Sequence, residues 1–156
     1  MYRFFLILLL FFTGCAYKRP YVSSKPYYMV VKNSQIAVAD TGFIKRDGSR
    51  FNLQLFSAST PILDLHVDND VCLDYTCMSK RDFNAKFFGI SHYEDFLDEL
   101  FNFQPVYNRK NLKKSKSGFE QKIKTAEFDI IYRVENGNLY FKDRKNRVLI
   151  KLKELK

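Results

Sequence analysis

Arg50-Phe51-Asn52-Leu53-Gln54-Leu55, followed after a short loop by Leu63-Asp64-Leu65-His66-Val67-Asp68, decides the fold class. Apolar and polar residues alternate with a period of two, so Phe51, Leu53 and Leu55 fall on one face of an extended strand and Asn52 and Gln54 on the other. Leu63, Leu65 and Val67 repeat the pattern against Asp64, His66 and Asp68. Neighbouring runs of this kind are half-buried antiparallel strands, with one face on a core and one in water. Upstream, residues 29 to 32 and 36 to 45 read as further strands, and Arg46-Asp47-Gly48-Ser49 is a hairpin turn signal. Downstream, Val71-Cys72-Leu73-Asp74-Tyr75-Thr76-Cys77-Met78 has the length of a hairpin whose two arms set Cys72 and Cys77 side by side, which predicts a disulfide. The loop it closes is short, so its stabilisation is on the order of 2 kcal/mol and its role is to pin a turn.

The period then changes. Ser79 stands three residues before Asp82 and Ser91 three before Glu94, each offering an acceptor to the unpaired amides of a helix start and an acid to the positive end of its dipole. Phe83 and Phe87 form one apolar stripe, stopped by Gly89; Tyr93, Phe96, Leu97, Leu100 and Phe101 form a second, stopped before Pro105. Residues 108 to 118 carry Arg109, Lys110, Lys113, Lys114 and Lys116 with no acid and read as an exposed loop. Strands resume over 119 to 124, 127 to 135, 139 to 143 and 148 to 155, and Asn136-Gly137 suits the positive dihedrals of a tight hairpin turn. The predicted whole is α+β: a single bent antiparallel sheet, an open half-barrel, with two helices packed on its concave face.

The chain has 156 residues with 26 Lys and Arg against 17 Asp and Glu, a formal +9, and 17% aromatic residues. That much buriable surface excludes disorder, and the length allows one domain. The first twelve residues lie outside it. Arg3 precedes Phe4-Phe5-Leu6-Ile7-Leu8-Leu9-Leu10-Phe11-Phe12, a run too short to cross a bilayer as a helix and long enough for the apolar region of a signal peptide. Thr13-Gly14-Cys15 follows, and Phe12-Thr13-Gly14-Cys15 resembles the bacterial lipobox, with Phe12 where Leu is usual. The resemblance implies cleavage after residue 14 and acyl chains on Cys15, palmitate among them; two or more chains hold a protein firmly on a membrane. Expected divisions are a signal peptide over 1 to 14, a lipidated tether over 15 to 27 with Pro20, Ser23, Ser24 and Pro26, and a folded body over 28 to 156. Ala16, where retention at the inner membrane is associated with Asp, points by the same resemblance to the outer membrane, facing the periplasm. Cleavage at Cys15 leaves 25 basic and 17 acidic residues, a surplus that favours anionic surfaces such as phospholipid or lipopolysaccharide; a solvated charge run is the plainer reading of the 108 to 118 loop. Nucleic acid is not an expected partner.

No enzyme is supported. His66 and His92 lack metal-ligand spacing, and neither a nucleophile elbow nor a phosphate-cradling Gly-rich loop occurs. Asp64, Asp68, Asp70 and Asp74 cluster without the Gly and closing Glu of a calcium-binding EF-hand loop. His66 is expected on the solvent face of a strand, and His92 in the first turn of a helix. No cofactor or metal is expected.

The order of elements from Ile36 onward, the runs at 50 to 55 and 63 to 65, the Asp-rich hairpin, Phe103-Gln104-Pro105-Val106 and the closing stretch from Gly137 to Lys153 resemble the outer-membrane lipoprotein receptor of the localisation pathway, the LolB family. That resemblance implies an open half-barrel lidded by helices, whose apolar concavity accepts the acyl chains of other lipoproteins from a periplasmic carrier. The lining residues would be Leu53, Leu55, Leu63, Leu65, Ile130 and Tyr132 with Phe96, Leu97 and Leu100, although at these periods a filled core is the ordinary alternative. The family's membrane-inserting Leu has no counterpart on Phe56-Ser57-Ala58-Ser59-Thr60-Pro61-Ile62; Phe56 or Ile62 would take its place, unless both are inward residues of adjoining strands. The alternative function is that of a structural, assembly or surface lipoprotein that binds a protein partner through its basic loop and strand edges.

Overall fold

The structure, a computed structural model, describes residues 20 to 156, so Cys15 and the signal-like segment lie outside the described residues. The alternating runs become one antiparallel sheet of 11 strands: β1 (Ser23–Lys32), β2 (Ala37–Asp47), β3 (Arg50–Ser57), β4 (Thr60–Val67), β5 (Asp70–Leu73), β6 (Thr76–Ser79), β7 (Lys113–Lys114), β8 (Gly118–Lys124), β9 (Asp129–Glu135), β10 (Asn138–Asp143) and β11 (Val148–Glu154). Their spatial order is β6-β5-β4-β3-β2-β1-β11-β10-β9-β8-β7. The sheet is open, with β6 and β7 as edges, and two hairpin meanders meet where β1 pairs with β11.

Alternation sorts the side chains as the sequence requires. Tyr27, Met29, Ile44, Phe51, Leu53, Leu55, Leu65, Val67, Ile130, Tyr132, Phe141, Ile150 and Leu152 are buried members of one continuous core. Turn chemistry fixes the register. Gly48, Asn136 and Gly137 take the positive φ values (61°, 49° and 75°) that close the β2–β3 and β9–β10 hairpins. The region between β3 and β4 is tighter than the expected loop: Ala58 and Ser59, both at positive φ, make a two-residue turn, and a bulge lies just before it at Leu55 and Phe56.

The folded body begins earlier than expected. β1 starts at Ser23, so residues 23 to 27 belong to the sheet and not to a tether. Pro26 is tolerated because its carbonyl accepts from Leu155 N, on the side where β11 is ending. A strand residue's N–H and C=O point the same way, so the missing donor removes no bond to β2.

Two helices lie between β6 and β7: α1 (Lys80–Phe88) and α2 (Phe96–Phe101), the latter followed by a 3-10 turn at Tyr107–Arg109. α1 is built as its sequence dictates. Ser79 Oγ accepts from Asp82 N at 3.1 Å, and Gly89 ends the helix in the left-handed conformation at φ 76°. The second helix differs. It opens at Asp95–Phe96 without a side-chain cap, and Ser91 caps nothing; His92, expected in its first turn, lies before it. Tertiary packing overrides the local signal, because His92 is drawn into a ring cluster, stacked on Phe96 at 3.8 Å between centroids. Contacts from both helices reach strand residues: Phe88 and Phe96 each meet Phe141 of β10 at 5.8 Å, and Phe101 meets Phe51 of β3 at 5.3 Å.

Candidate functional site

The expected lining residues separate into two groups. Leu53, Leu63 and Leu65 line an apolar cleft together with Val31, Ile36, Leu73, Phe83, Phe87 and Phe101, and no polar surface enters it. It lies between β1, β3 to β5 and the two helices. Its volume is about 40 Å³. A cavity of about 150 Å³ is what benzene needs, so this one holds no extended hydrocarbon unless its walls part. Leu63, Leu73 and Phe87 are half-buried and form its mouth. Phe83 and Phe87 stack at 5.4 Å, interplanar angle 10°, on the helix side. Val31, Ile36, Leu73, Phe83, Phe87 and Phe101 are cleft residues outside the expected lining, although the Phe83–Phe87 spacing marks that face of α1.

Leu55, Phe96, Leu97, Leu100, Ile130 and Tyr132 belong instead to a filled core, each fully buried and none on the cleft. The Tyr132 hydroxyl donates to Leu100 O at 3.3 Å and pins α2 to β9. Phe56 and Ile62 do not line the cleft and are not the inward residues of their strands. Phe56 packs edge-on against the exposed Phe43 at 6.0 Å, and Ile62 is 44% exposed, because each is the strand neighbour of an inward residue, Leu55 or Leu63, and alternation puts it on the opposite face.

Cys72 and Cys77 are cross-strand partners of the β5–β6 hairpin and are joined as a disulfide, S–S 2.04 Å. The bond fixes β6 at one sheet edge, directly before α1.

Beside the disulfide, Tyr21, Arg50, His66, Val67, Asp68, Asn69, Asp70 and Cys72 border an open groove of about 430 Å³. His66 faces solvent on β4, as its position predicts, with Nε2 3.2 Å from Asp64 and Nδ1 3.4 Å from the Tyr21 hydroxyl. Burial raises the Asp64 pKa, but the Asn52 and Gln54 amides and His66 outweigh it and hold the carboxyl below its ordinary value. Arg50 sits over the Tyr21 ring at 4.9 Å and pairs with Asp47 at 2.8 Å. The Asp64–His66 and Arg50–Asp47 pairs are thus joined through Tyr21. Among the described residues, no three His, Cys, Asp or Glu side chains gather as metal ligands would, and Asp64, Asp68, Asp70 and Asp74 do not converge.

His92 is the buried histidine, 2% exposed, with its Nδ1 on the Tyr107 hydroxyl and its Nε2 without a partner. Burial pushes its pKa down to about 4, against a raising contribution from Asp143. Burial also raises Tyr93 and Tyr107 above the ordinary phenol value. Tyr93 donates to Glu99 and accepts from Tyr107 N at 2.9 Å. Lys80 of α1 and Asp98 of α2, both mostly buried, pair at 2.9 Å and lock the two helices together. No helix among the described residues is long and apolar enough to cross a membrane. No protein-family model and no curated protein sequence matches the chain.

Proposed function

We propose that this chain is a lipid-anchored, non-enzymatic protein of the cell envelope, tethered through an acylated Cys15 at the outer membrane and facing the periplasm, and that it accepts the acyl chains of other lipoproteins from a periplasmic carrier in the manner of the LolB family. The observation that carries this reading is the cleft between α1 and β3 to β5, lined wholly by apolar side chains and open at a mouth of half-buried ones. In this reading the sheet is a half-barrel, the helices cover its concave face, and α1 moves outward to admit a chain. Transfer is downhill wherever more hydrocarbon is buried after the step than before, at about 0.8 kcal/mol per methylene, so no covalent chemistry is required.

The small volume favours a second reading, in which the body is a filled scaffold that binds a protein partner through its basic loop and free edges. Depleting the protein and fractionating the envelope separates the two. Acyl-chain transfer requires other lipoproteins to accumulate in the inner membrane; an unchanged distribution removes it. Cys15→Ala tests the anchor independently, since it should release the protein from the membrane fraction.

A further inference from the structure

Charge is segregated along the open sheet. Residues 33 to 104, which form β2 to β6 and both helices, carry six Lys and Arg against 11 Asp and Glu, whereas residues 105 to 156, which form β7 to β11, carry 15 against six. The strand order places these segments on opposite flanks, with β1 between them. Within the basic flank one rim is special. The β7–β8 turn meets the β9–β10 turn through Asn136 N to Ser117 O at 3.0 Å, Gly137 lies against the Glu154 carboxylate at the end of β11, and Glu154 pairs with Lys25 near the start of β1 at 2.7 Å. This single rim therefore gathers the exposed Lys113, Lys114, Lys116, Lys153 and Lys156. The chain from Cys15 enters at the same end of the sheet but on the other side of β1, where Tyr21 packs on Arg50 and His66. Lys25 neutralises Glu154, and Glu120, opposite Lys113, is held by Arg133 and Lys122, which leaves Glu135, an acceptor from Ser117 Oγ, to face these five amines without a cationic partner of its own among the described residues.

We propose that this rim is the membrane-facing end of the body and docks on the anionic headgroups of a phospholipid bilayer. The choice of a bilayer rests on the acylation of Cys15 proposed above. From Cys15 to Ser23 the chain spans at most about 27 Å, so the rim is the part of the sheet held nearest the surface. Lys18 and Arg19 add two cations to the connecting segment. Salt screens a surface charge beyond about 8 Å, so amines at the end of the strands where the tether enters feel the headgroups while those at the opposite end do not. Two features thus act together: the tether supplies proximity, and the lysines select the face.

The test uses residues 15 to 156 with Cys15→Ser, a chain that keeps every buried core residue and lacks the lipid, so its outcome does not depend on acylation. Binding is measured by sedimentation with sucrose-loaded vesicles of phosphatidylcholine alone or of equal parts phosphatidylcholine and phosphatidylglycerol, at about 0.15 M ionic strength. The chain is expected to bind only the anionic vesicles. K113E/K114E/K116E should lower the partition coefficient about a hundredfold, while K32E/K124E/K142E, an equal charge change at the other end of the strands, should lower it less than tenfold. Equal losses in the two triple variants, equal binding to both vesicle types, or no binding to either overturns the proposal. Circular dichroism of each variant excludes unfolding as the cause of a loss.

Discussion

His92 is kept neutral by the packing around it. Phe88, Phe96, Tyr107 and Phe128 surround the ring at centroid distances of 3.8 to 5.9 Å, and its folded pKa of about 4 lies below the 6.5 of the unfolded chain. Between those two values the unfolded state binds the proton that the folded state refuses, so stability falls as pH drops through that window. The expected loss from this residue is roughly 2 to 3 kcal/mol between pH 7 and pH 4.5. Urea denaturation at the two pH values measures it, and His92→Phe should flatten the difference; an unchanged pH dependence in that variant rejects the assignment. Phe83 sets a second residue-scale expectation. Nearly buried on the cleft wall, it leaves a void when replaced by Ala, at a cost of about 3 to 5 kcal/mol. Uptake of a small apolar probe such as benzene, followed by NMR, should rise in Phe83→Ala.

At the scale of elements, the Lys80–Asp98 pair makes α1 and α2 one unit. Asp98→Ala leaves a mostly buried ammonium alone and is expected to destabilise the fold by about 2 to 4 kcal/mol, whereas Lys80→Met with Asp98→Leu should recover most of that loss. A thermal melt of the single and double variants distinguishes these outcomes. The disulfide acts one element earlier. Cys72→Ser with Cys77→Ser should cost about 2 kcal/mol and loosen the β5–β6 hairpin first, visible as faster amide exchange at Val71 and Met78. Elements also show what sequence could and could not tell. The strands were legible wherever one face is buried and the period is two, as in β3, β4, β9 and β11, and the Ser79 cap and Gly89 stop of α1 were read from local chemistry alone. The start of α2 was not, because the force holding residues 89 to 93 out of a helix is the packing of His92 against rings distant in the chain. Nor was β7, two exposed lysines whose strand character comes only from pairing with Glu120 and Phe119. For the cleft, alternation identified the apolar face but could not divide lining from filled core, since Leu53 and Leu55 have the same pattern and different surroundings.

For the whole molecule, the sheet order has a consequence for when the fold can close. Strands β1 to β6 form one run of neighbours and β7 to β11 another, and the seam between them is the pairing of the first strand with the last. Met29, Val31, Ile150 and Leu152 stand at that seam, all buried. Until residues 148 to 154 have been synthesised, β1 lacks one partner and the central core rows cannot form, so the nascent chain has no complete native state to fall into. For the exported protein proposed above that delay is an advantage, since a translocation channel passes unfolded chains: β11, seven residues long, serves as a timer that withholds folding until it has itself been made.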